Sequence, residues 1–294
     1  MESDKVTLRL IYPQWQGGVI DRWIPELPPE QAATGYYLGS QLLNFLAPPA
    51  DGETLTVPIT KDASKREVQD GVMDRDVIAK QTKAALDTLT IKNPDKIVTL
   101  GGECSVSVVP FSFLHRKYNG DVALIWIDAH PDITLPGDVY AGFHAMAVTA
   151  LLGMGDEKII SQLPSKFDAS KILYVGLRDW ERDEIVERQK QLGIAHVGPS
   201  EVASDSTRVI EWLKKCSASR VVVHFDMDVL DPAEIIPAVG VSPDGMKLKD
   251  VVRVINDVAQ TKELVGLTVA EPMPRIAIRL QQMLHSLPLL RTHA

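Results

Sequence analysis

Apolar stretches of four to seven residues recur along the chain, and stretches with helical periodicity separate most of them. The predicted strands are Val6–Tyr12, Leu55–Ile59, Ile97–Leu100, Val122–Ile127, Ile172–Val175, Val221–Phe225 and Leu264–Val269. The predicted helices are Asp74–Leu89, Ser105–Lys117, Phe143–Leu152, Asp183–Leu192, Ser206–Lys215 and Leu248–Gln260. This alternation indicates parallel βαβ crossovers, so we expect an α/β fold with a largely parallel central sheet that helices cover on both faces.

No change in composition along the chain marks a boundary between domains. Two stretches that contain proline or glycine, residues 25–29 and 48–52, are short enough to be surface loops rather than linkers. We therefore expect residues 1–294 to form a single domain. No apolar run reaches the length of about 18 residues that a transmembrane helix requires, so none is predicted.

Charge and cysteine content narrow the classes of partner. The net charge of −8 argues against nucleic acid and anionic membranes as partners. The first residues show no basic segment followed by an apolar one, so no secretory signal is predicted. Two cysteines, Cys104 and Cys216, do not make a disulfide framework. These features favour a protein of the reducing cytoplasm.

Acidic residues and a histidine follow two of the most apolar predicted strands. Residues 128–132 read Asp-Ala-His-Pro-Asp, and residues 226–228 read Asp-Met-Asp. Side chains two positions apart point the same way in extended chain, so Asp128, His130 and Asp132 should converge, as should Asp226 and Asp228. Five such ligands exceed the need of one divalent ion. They suit two ions that share a carboxylate, and such pairs activate water for hydrolysis.

Three other strand ends carry polar or glycine-rich sequence, at residues 101–105, 176–179 and 270–272. Ligands of an open α/β sheet bind beyond the carboxyl ends of its strands, so this rim is the predicted active site. His224 lies two residues before Asp226 on the same strand face. The sequence leaves open whether His224 supports the metal site or only packs.

These motifs, in this order, resemble the arginase–agmatinase (ureohydrolase) family. The resemblance rests on Asp-Ala-His-x-Asp at 128–132, Asp-x-Asp-x-x-Asp-Pro at 226–232, Tyr-Val-Gly-Leu-Arg-Asp at 174–179 and Glu-Pro-Met-Pro at 271–274. It extends from Ile97 to Pro274 and more weakly to the N-terminal part. It implies a three-layer α/β/α fold, two Mn²⁺ ions and the hydrolysis of a guanidinium group.

The resemblance also implies a ligand set. Asp128, His130, Asp132, Asp226 and Asp228 would bind metal, and Cys104 stands where the family has a histidine, in the turn Gly-Gly-Glu-Cys-Ser. A thiolate is a softer ligand than imidazole, so zinc or another divalent ion becomes an alternative to manganese. A weakly held first ion, giving a one-metal or inactive site, is a further alternative.

The resemblance implies roles in catalysis and substrate binding as well. Glu271 would hold the guanidinium group, His144 would shuttle protons, and Asp132 would accept a hydrogen bond from the bridging hydroxide. The candidates for the amino-acid end of the substrate are Glu181 and Asp179, in an Arg-Asp-x-acid signature, and Thr134. Thr134 lies in a short loop, residues 133–141, in which Tyr140 is the other neutral donor and Asp138 is acidic.

The expected function is therefore a binuclear amidinohydrolase that takes a small guanidino substrate. It would release urea or hydroxyurea from arginine or a modified arginine such as N-hydroxyarginine. Two alternatives stay open: an agmatinase or other guanidino-acid hydrolase, and a non-catalytic arginase-like binding protein. With only 20 residues after Pro274, both an oligomer and a monomer are compatible with the sequence.

Overall fold

The computed structural model describes residues 5–20 and 23–290, and the statements below concern those residues. The strands are β1 (Thr7–Tyr12), β2 (Glu53–Thr56), β3 (Val68–Gln69), β4 (Val72–Met73), β5 (Lys96–Gly101), β6 (Val122–Ile127), β7 (Ile172–Val175), β8 (Ala195–Val197), β9 (Arg220–Asp226) and β10 (Glu263–Ala270). The α-helices are α1 (Pro29–Ala33), α2 (Gly35–Leu46), α3 (Arg75–Lys92), α4 (Val108–Lys117), α5 (Ala147–Leu151), α6 (Glu157–Ile160), α7 (Asp183–Leu192), α8 (Thr207–Lys215), α9 (Leu248–Thr261) and α10 (Arg275–Ser286). Short 3₁₀ turns cover Cys104–Ser107, Phe143–Met146, Ala169–Lys171, Pro199–Val202 and Met227–Val229.

Eight of the described strands form one sheet in the order β2-β1-β5-β10-β9-β6-β7-β8. Every neighbouring pair is parallel, and only the short β3–β4 pair, which lies outside this sheet, is antiparallel. The predicted parallel α/β fold is therefore confirmed. The predicted strand over 55–59 is shifted, since β2 covers Glu53–Thr56. Pro58 has no N–H to offer a ladder, which explains why pairing stops before it.

Helices cover the sheet on both faces, which gives the three layers. Strand β6 shows the division, because its side chains alternate between two buried clusters. Ala123 and Ile125 pack in the cluster that includes residues of α8 and α9. Leu124 and Trp126 pack in the cluster that includes residues of α3 and α4. Its six residues are all buried, as expected for a central strand of a parallel sheet.

Helices α2 and α10 were not predicted from the sequence. For α2 the reason lies in its residues. It contains two glycines, which are poor helix formers, and no side chain caps its start. A Cβ atom at Gly39 would lie 2.0 Å from the Pro272 carbonyl oxygen, and one at Gly35 would lie 2.4 Å from the Met273 sulfur. The glycines thus let α2 approach the turn after β10. That approach brings Tyr36 to Glu271.

The turns after β5, β10, β9, β6 and β7 lie side by side, because these five strands are consecutive in the sheet. The rim predicted from the sequence is therefore continuous. None of the helices in the described part of the chain combines the length and apolar character needed to span a bilayer.

Candidate metal centre

Two acidic turns stand next to each other at the ends of neighbouring strands. Asp128 follows β6 and Asp226 ends β9. In each turn one carboxylate oxygen accepts a hydrogen bond from the backbone N–H two residues later. Asp128 Oδ1 accepts from His130 at 2.7 Å, and Asp226 Oδ1 accepts from Asp228 at 2.6 Å. Such local bonds favour a turn, and here they hold both members of each motif at the rim.

The first ligand group consists of Asp128, His130 and Asp228. Their ligand atoms all lie within 4.8 Å of one another. His130 Nδ1 lies 3.0 Å from Asp228 Oδ2 and 3.6 Å from Asp128 Oδ1. One imidazole and two carboxylates from two separate turns thus face a common point.

The second ligand group contains Cys104, Asp128, Asp226 and His224, and their ligand atoms also lie within 4.8 Å of one another. The Cys104 thiol lies 2.9 Å from Asp226 Oδ2. Asp128 belongs to both groups, so its carboxylate is the bridge between them. The sequence predicted Cys104, Asp128 and Asp226 as ligands, and His224 is the addition.

Asp132 is in neither group, although the sequence placed it among the ligands. It is buried, its backbone has a left-handed φ of +50°, and its Oδ2 has no hydrogen-bond partner among the described residues. Its carboxylate still acts on the site, since it helps to raise the pKa of Cys104. Its role as a ligand therefore stays a prediction.

Burial and mutual repulsion dominate the electrostatics of the site. Burial, and then the Asp228 carboxylate, raise the pKa of Asp128 to about 7. The same two causes, followed by Asp128, raise the pKa of Asp226 well above its ordinary value. Burial and then Asp132 raise the pKa of Cys104. Removing protons from these groups therefore requires a compensating positive charge.

The two histidines respond in opposite ways. Burial lowers the pKa of His130, but Asp228 and Asp128 outweigh it and raise that pKa well above the ordinary value. Burial alone dominates at His224 and lowers its pKa to about 3, so that ring is neutral near pH 7. A divalent cation fits these surroundings, because it would neutralise the carboxylates and accept lone pairs from the His130 and His224 rings.

Glu271 and His144 lie beside the second ligand group. His144 Nδ1 is 3.3 Å from Glu271 Oε1, and the Cys104 backbone N–H donates to that oxygen at 3.1 Å. The other ring nitrogen, Nε2, lies 2.7 Å from the Tyr140 hydroxyl. Burial lowers the pKa of His144, but Tyr140, Glu271 and then Asp132 raise it well above its ordinary value. A protonated His144 is thus held at the edge of the ligand cluster.

A cavity of about 220 Å³ opens over these groups, and the predicted substrate-binding residues Thr134, Asp179 and Glu181 line it. The Thr134 hydroxyl donates to the Ala145 carbonyl oxygen at 2.9 Å, so its hydrogen is already engaged. Asp179 accepts from the Ser242 hydroxyl at 2.9 Å and from the Glu181 backbone N–H at 3.0 Å. Of the three, Glu181 alone is exposed at the mouth.

Two contacts of this site could not be found from motifs. Tyr36, which is fully buried, donates its hydroxyl hydrogen to Glu271 Oε2. Glu103, also fully buried, accepts hydrogen bonds from Gln14 at 2.8 Å and from the Ser105 backbone N–H at 2.8 Å, and so fixes the turn that carries Cys104. The Tyr36 contact joins positions 235 residues apart. No local pattern carries that information.

The sequence profile of the arginase family matches residues 47–285, which is most of the chain. The chain belongs to the arginase family. The arginase of Eremothecium gossypii is 32% identical to this family member over 190 residues, which cover 61% of this chain and 47% of that protein. The arginase of Entamoeba histolytica is 28% identical over 186 residues, covering 61% of this chain and 62% of that protein.

The fold of this arginase-family chain is likewise similar to solved arginases. The crystal structure of Entamoeba histolytica arginase in complex with L-ornithine superposes with a TM-score of 0.74 and 22% identity, over 92% of each chain. In sequence, the chain spans about half to three fifths of the length of the curated relatives it matches. The predicted family and α/β fold are therefore confirmed.

Proposed function

We propose that this chain is a binuclear metal-dependent amidinohydrolase that cleaves a guanidino group and releases urea or a close analogue. One observation carries the proposal: two ligand groups that share Asp128 present His130, Asp226 and Asp228 to the cavity that Glu271 and His144 also line. Ligands for two ions, a carboxylate for a cationic substrate and a proton donor are the parts that this hydrolysis needs. Residues 1–294 would form one catalytic domain.

Asp128, His130 and Asp228 would hold one ion, and Cys104, Asp128 and Asp226 would hold the other, with Asp132 beside it. When bound, two such cations make a water molecule acidic enough to serve as hydroxide near neutral pH. We propose manganese as the metal, with zinc as the alternative because Cys104 offers sulfur. The carboxylate-rich first group suits manganese in either case.

The protein side chains would divide the remaining work. Glu271 would orient the guanidinium group by accepting its N–H hydrogens, since guanidinium pairs well with a carboxylate. His144 would deliver its proton to the departing amine, because Glu271 and Tyr140 hold its protonated ring at the cluster. Asp132, with its free Oδ2, would accept a hydrogen bond from the attacking group. Glu271 and Asp132 are buried, which limits the access of water to them, whereas His144 and Tyr140 are partly exposed.

An arginine-like amino acid is the substrate class that we favour. The Entamoeba histolytica arginase is seen with L-ornithine, the amino acid that remains when urea leaves arginine. Asp179 and Glu181 at the cavity mouth would attract the α-amino group of such a molecule. Tyr36 already donates to Oε2 of Glu271, so the guanidinium group of arginine or the hydroxyguanidine group of N-hydroxyarginine would have to share that oxygen or displace Tyr36.

The decisive experiment combines metal analysis with an assay panel on one sample. The purified protein would be loaded with Mn²⁺ or with Zn²⁺, and its metal content measured per chain. The same samples would be assayed with arginine, N-hydroxyarginine, agmatine and 4-guanidinobutyrate, with urea or hydroxyurea as the product. Two ions and turnover of an α-amino acid are expected. Two ions with turnover of agmatine alone would favour the agmatinase alternative, and no turnover of any substrate would favour the non-catalytic one.

A further inference from the structure

His224 is a buried histidine with one ring nitrogen that lacks a hydrogen-bond partner in the described part of the chain. The side chain is fully buried on β9, and its Nε2 has no hydrogen-bond partner among the described residues. Buried polar atoms are normally paired, so an isolated one calls for a ligand that is not part of the protein. Asp128 Oδ2 lies 4.0 Å from this nitrogen, which is beyond hydrogen-bond distance.

The ring of His224 is held in place from two sides. It stacks on the Trp126 indole, with ring centroids 3.6 Å apart and an angle of 10° between the planes. Its Nδ1 lies 2.8 Å from the Ser107 hydroxyl oxygen. The Trp126 indole in turn donates to Asp128 Oδ2 at 2.8 Å. The orientation of the imidazole is therefore coupled to the carboxylate that joins the two ligand groups.

The unpaired nitrogen of His224, Nε2, lies near sulfur and oxygen donors. It is within 4.8 Å of ligand atoms of Cys104, Asp128 and Asp226, and those atoms are also within 4.8 Å of one another. Donors around a cation bound at about 2.0–2.3 Å are separated by roughly 3 to 4.5 Å, so the four atoms can surround one ion after small movements. We propose that His224 Nε2 ligates the ion held by Cys104, Asp128 and Asp226. The inference rests on the proposed binuclear site and assigns it a further ligand.

Ser107 would then set the tautomer. A metal-binding histidine usually donates its second ring N–H to an oxygen, which leaves the lone pair of the other nitrogen for the metal. The Ser107 hydroxyl oxygen lies where it can accept from Nδ1–H. The Cys104 thiol does not compete for Nε2 as a donor, since it is bonded to Asp226 Oδ2 at 2.9 Å.

The two ions would consequently have unlike surroundings. One would have a thiolate, an imidazole and carboxylates, and the other would have the His130 imidazole and carboxylates. Sulfur and nitrogen donors favour zinc or cobalt, whereas oxygen-rich sites retain manganese. We therefore expect the site that contains Cys104 and His224 to take Zn²⁺ or Co²⁺ in preference to Mn²⁺.

The test is His224→Asn, which keeps an amide near the position of Nδ1 for Ser107 and removes Nε2. His115→Asn is the matched control, because His115 also places Nδ1 next to a serine hydroxyl, at 2.7 Å from Ser165 Oγ, and packs on an aromatic ring, that of Phe167. The folded proteins would be equilibrated with buffered Zn²⁺ and with Co²⁺. Ions per chain and the thiolate-to-cobalt absorption band would then be measured.

We expect His224→Asn to lose one ion per chain, or to bind it at least tenfold more weakly, with a weakened cobalt band, while His115→Asn matches the wild type. Equal affinity and an unchanged band in folded His224→Asn would overturn the proposal. If His224→Asn does not fold, Ser107→Ala serves instead: binding about tenfold weaker supports the proposal, and wild-type binding overturns it.

Metal content is measured without turnover, so a wild type that binds two ions but releases no urea would refute only the proposed hydrolysis. A wild type that binds no cation would overturn both.

Discussion

The Tyr36 hydroxyl donates a hydrogen bond to Oε2 of Glu271, and both residues are buried. The other carboxylate oxygen, Oε1, already accepts from the Cys104 backbone N–H and lies 3.3 Å from His144 Nδ1. The residue proposed to hold the guanidinium group therefore has both oxygens engaged before a substrate arrives. A substrate must share these oxygens or displace Tyr36.

Tyr36→Phe should release Oε2 of Glu271 for the substrate. One hydrogen bond contributes about 0.5–1.5 kcal/mol, so KM for arginine should fall by roughly two- to tenfold while kcat changes less. The substrate-free protein should lose about 1–3 kcal/mol of stability, because a buried carboxylate oxygen loses its donor. Steady-state kinetics and chemical denaturation would measure the two effects.

Tyr37→Phe is the control for this change. Tyr37 is the next residue of α2, but its ring lies under the Lys61 ammonium at 3.9 Å, away from Glu271. The Tyr37→Phe variant should therefore leave KM for arginine unchanged. A Tyr36→Phe protein whose KM rises tenfold would mean that Tyr36 contacts the substrate directly rather than competing with it.

Because Asp128 belongs to both ligand groups, its substitution should impair metal binding more than substitution of Asp228. Asp128→Asn should abolish binding of both ions, because Asp128 belongs to both ligand groups, whereas Asp228→Asn should first weaken the ion next to His130. Turnover should fall by at least about 1,000-fold in both. Asp231→Asn, whose native carboxylate pairs with Lys247 outside the groups, is the control. Two tightly held ions in Asp128→Asn would refute a bridging role.

The sheet and the rim of the site could be predicted because their signals are local. A strand such as β6 is an uninterrupted apolar run, and its end is marked by Asp128 in the sequence itself. Family motifs then supplied roles for Cys104 and Glu271. Asp132, which was predicted in the same way, is in neither ligand group, although its carboxylate acts on Cys104 and lines the cavity, so its role as a ligand stays a prediction.

The contacts that surround the ligands could not be predicted, because they depend on packing between distant segments. Helix α2 has glycines where it meets the turn after β10. Because glycine is a poor helix former, the sequence does not indicate a helix there. Tyr36 reaches Glu271 only through that approach. His224 was recognised as a residue on the ligand face, but its unpaired Nε2 depends on where Ser107 and Trp126 lie.

Cys104→His should preserve metal binding and shift its preference towards manganese. The change replaces a sulfur donor by nitrogen at a point whose thiol now lies 2.9 Å from Asp226. Imidazole suits manganese better than thiolate does, so the ratio of Mn²⁺ to Zn²⁺ bound in competition should rise at least about tenfold. Cys216→Ser, outside the ligand groups, is the control. A soluble variant with an unchanged metal ratio would indicate that Cys104 only packs.

The metal-free protein should become less stable as the pH rises from 6.5 to 8. A group whose pKa is higher in the folded state holds its proton there preferentially, so stability falls as that proton is lost. Asp128, with its pKa raised to about 7, and His130 both act in this direction. His224 and His115 act the opposite way, because burial lowers the pKa of both, and most of their effect falls below their ordinary value of 6.5. A window that starts at pH 6.5 therefore reports mainly the first effect.

Thermal denaturation in a chelating buffer would measure this change. Each proton lost over that window should lower Tm by roughly 5 °C. A saturating divalent cation should remove or reverse the trend, since it replaces the protons. A metal-free Tm that stays constant or rises between pH 6.5 and 8 would show that the carboxylates ionise without cost.

Glu181→Gln should weaken the binding of substrates that carry an amino group and leave chemistry intact. Glu181 is exposed at the cavity mouth and is in neither ligand group, so it can attract a charged amine but cannot assist the reacting carbon. An exposed ion pair contributes up to about 1 kcal/mol, so KM for arginine should rise by roughly fivefold with kcat unchanged. KM for 4-guanidinobutyrate, which has no amine, should not rise. Glu184→Gln, in the exposed first turn of α7, is the control, and an equal KM increase for both substrates would refute an amine contact.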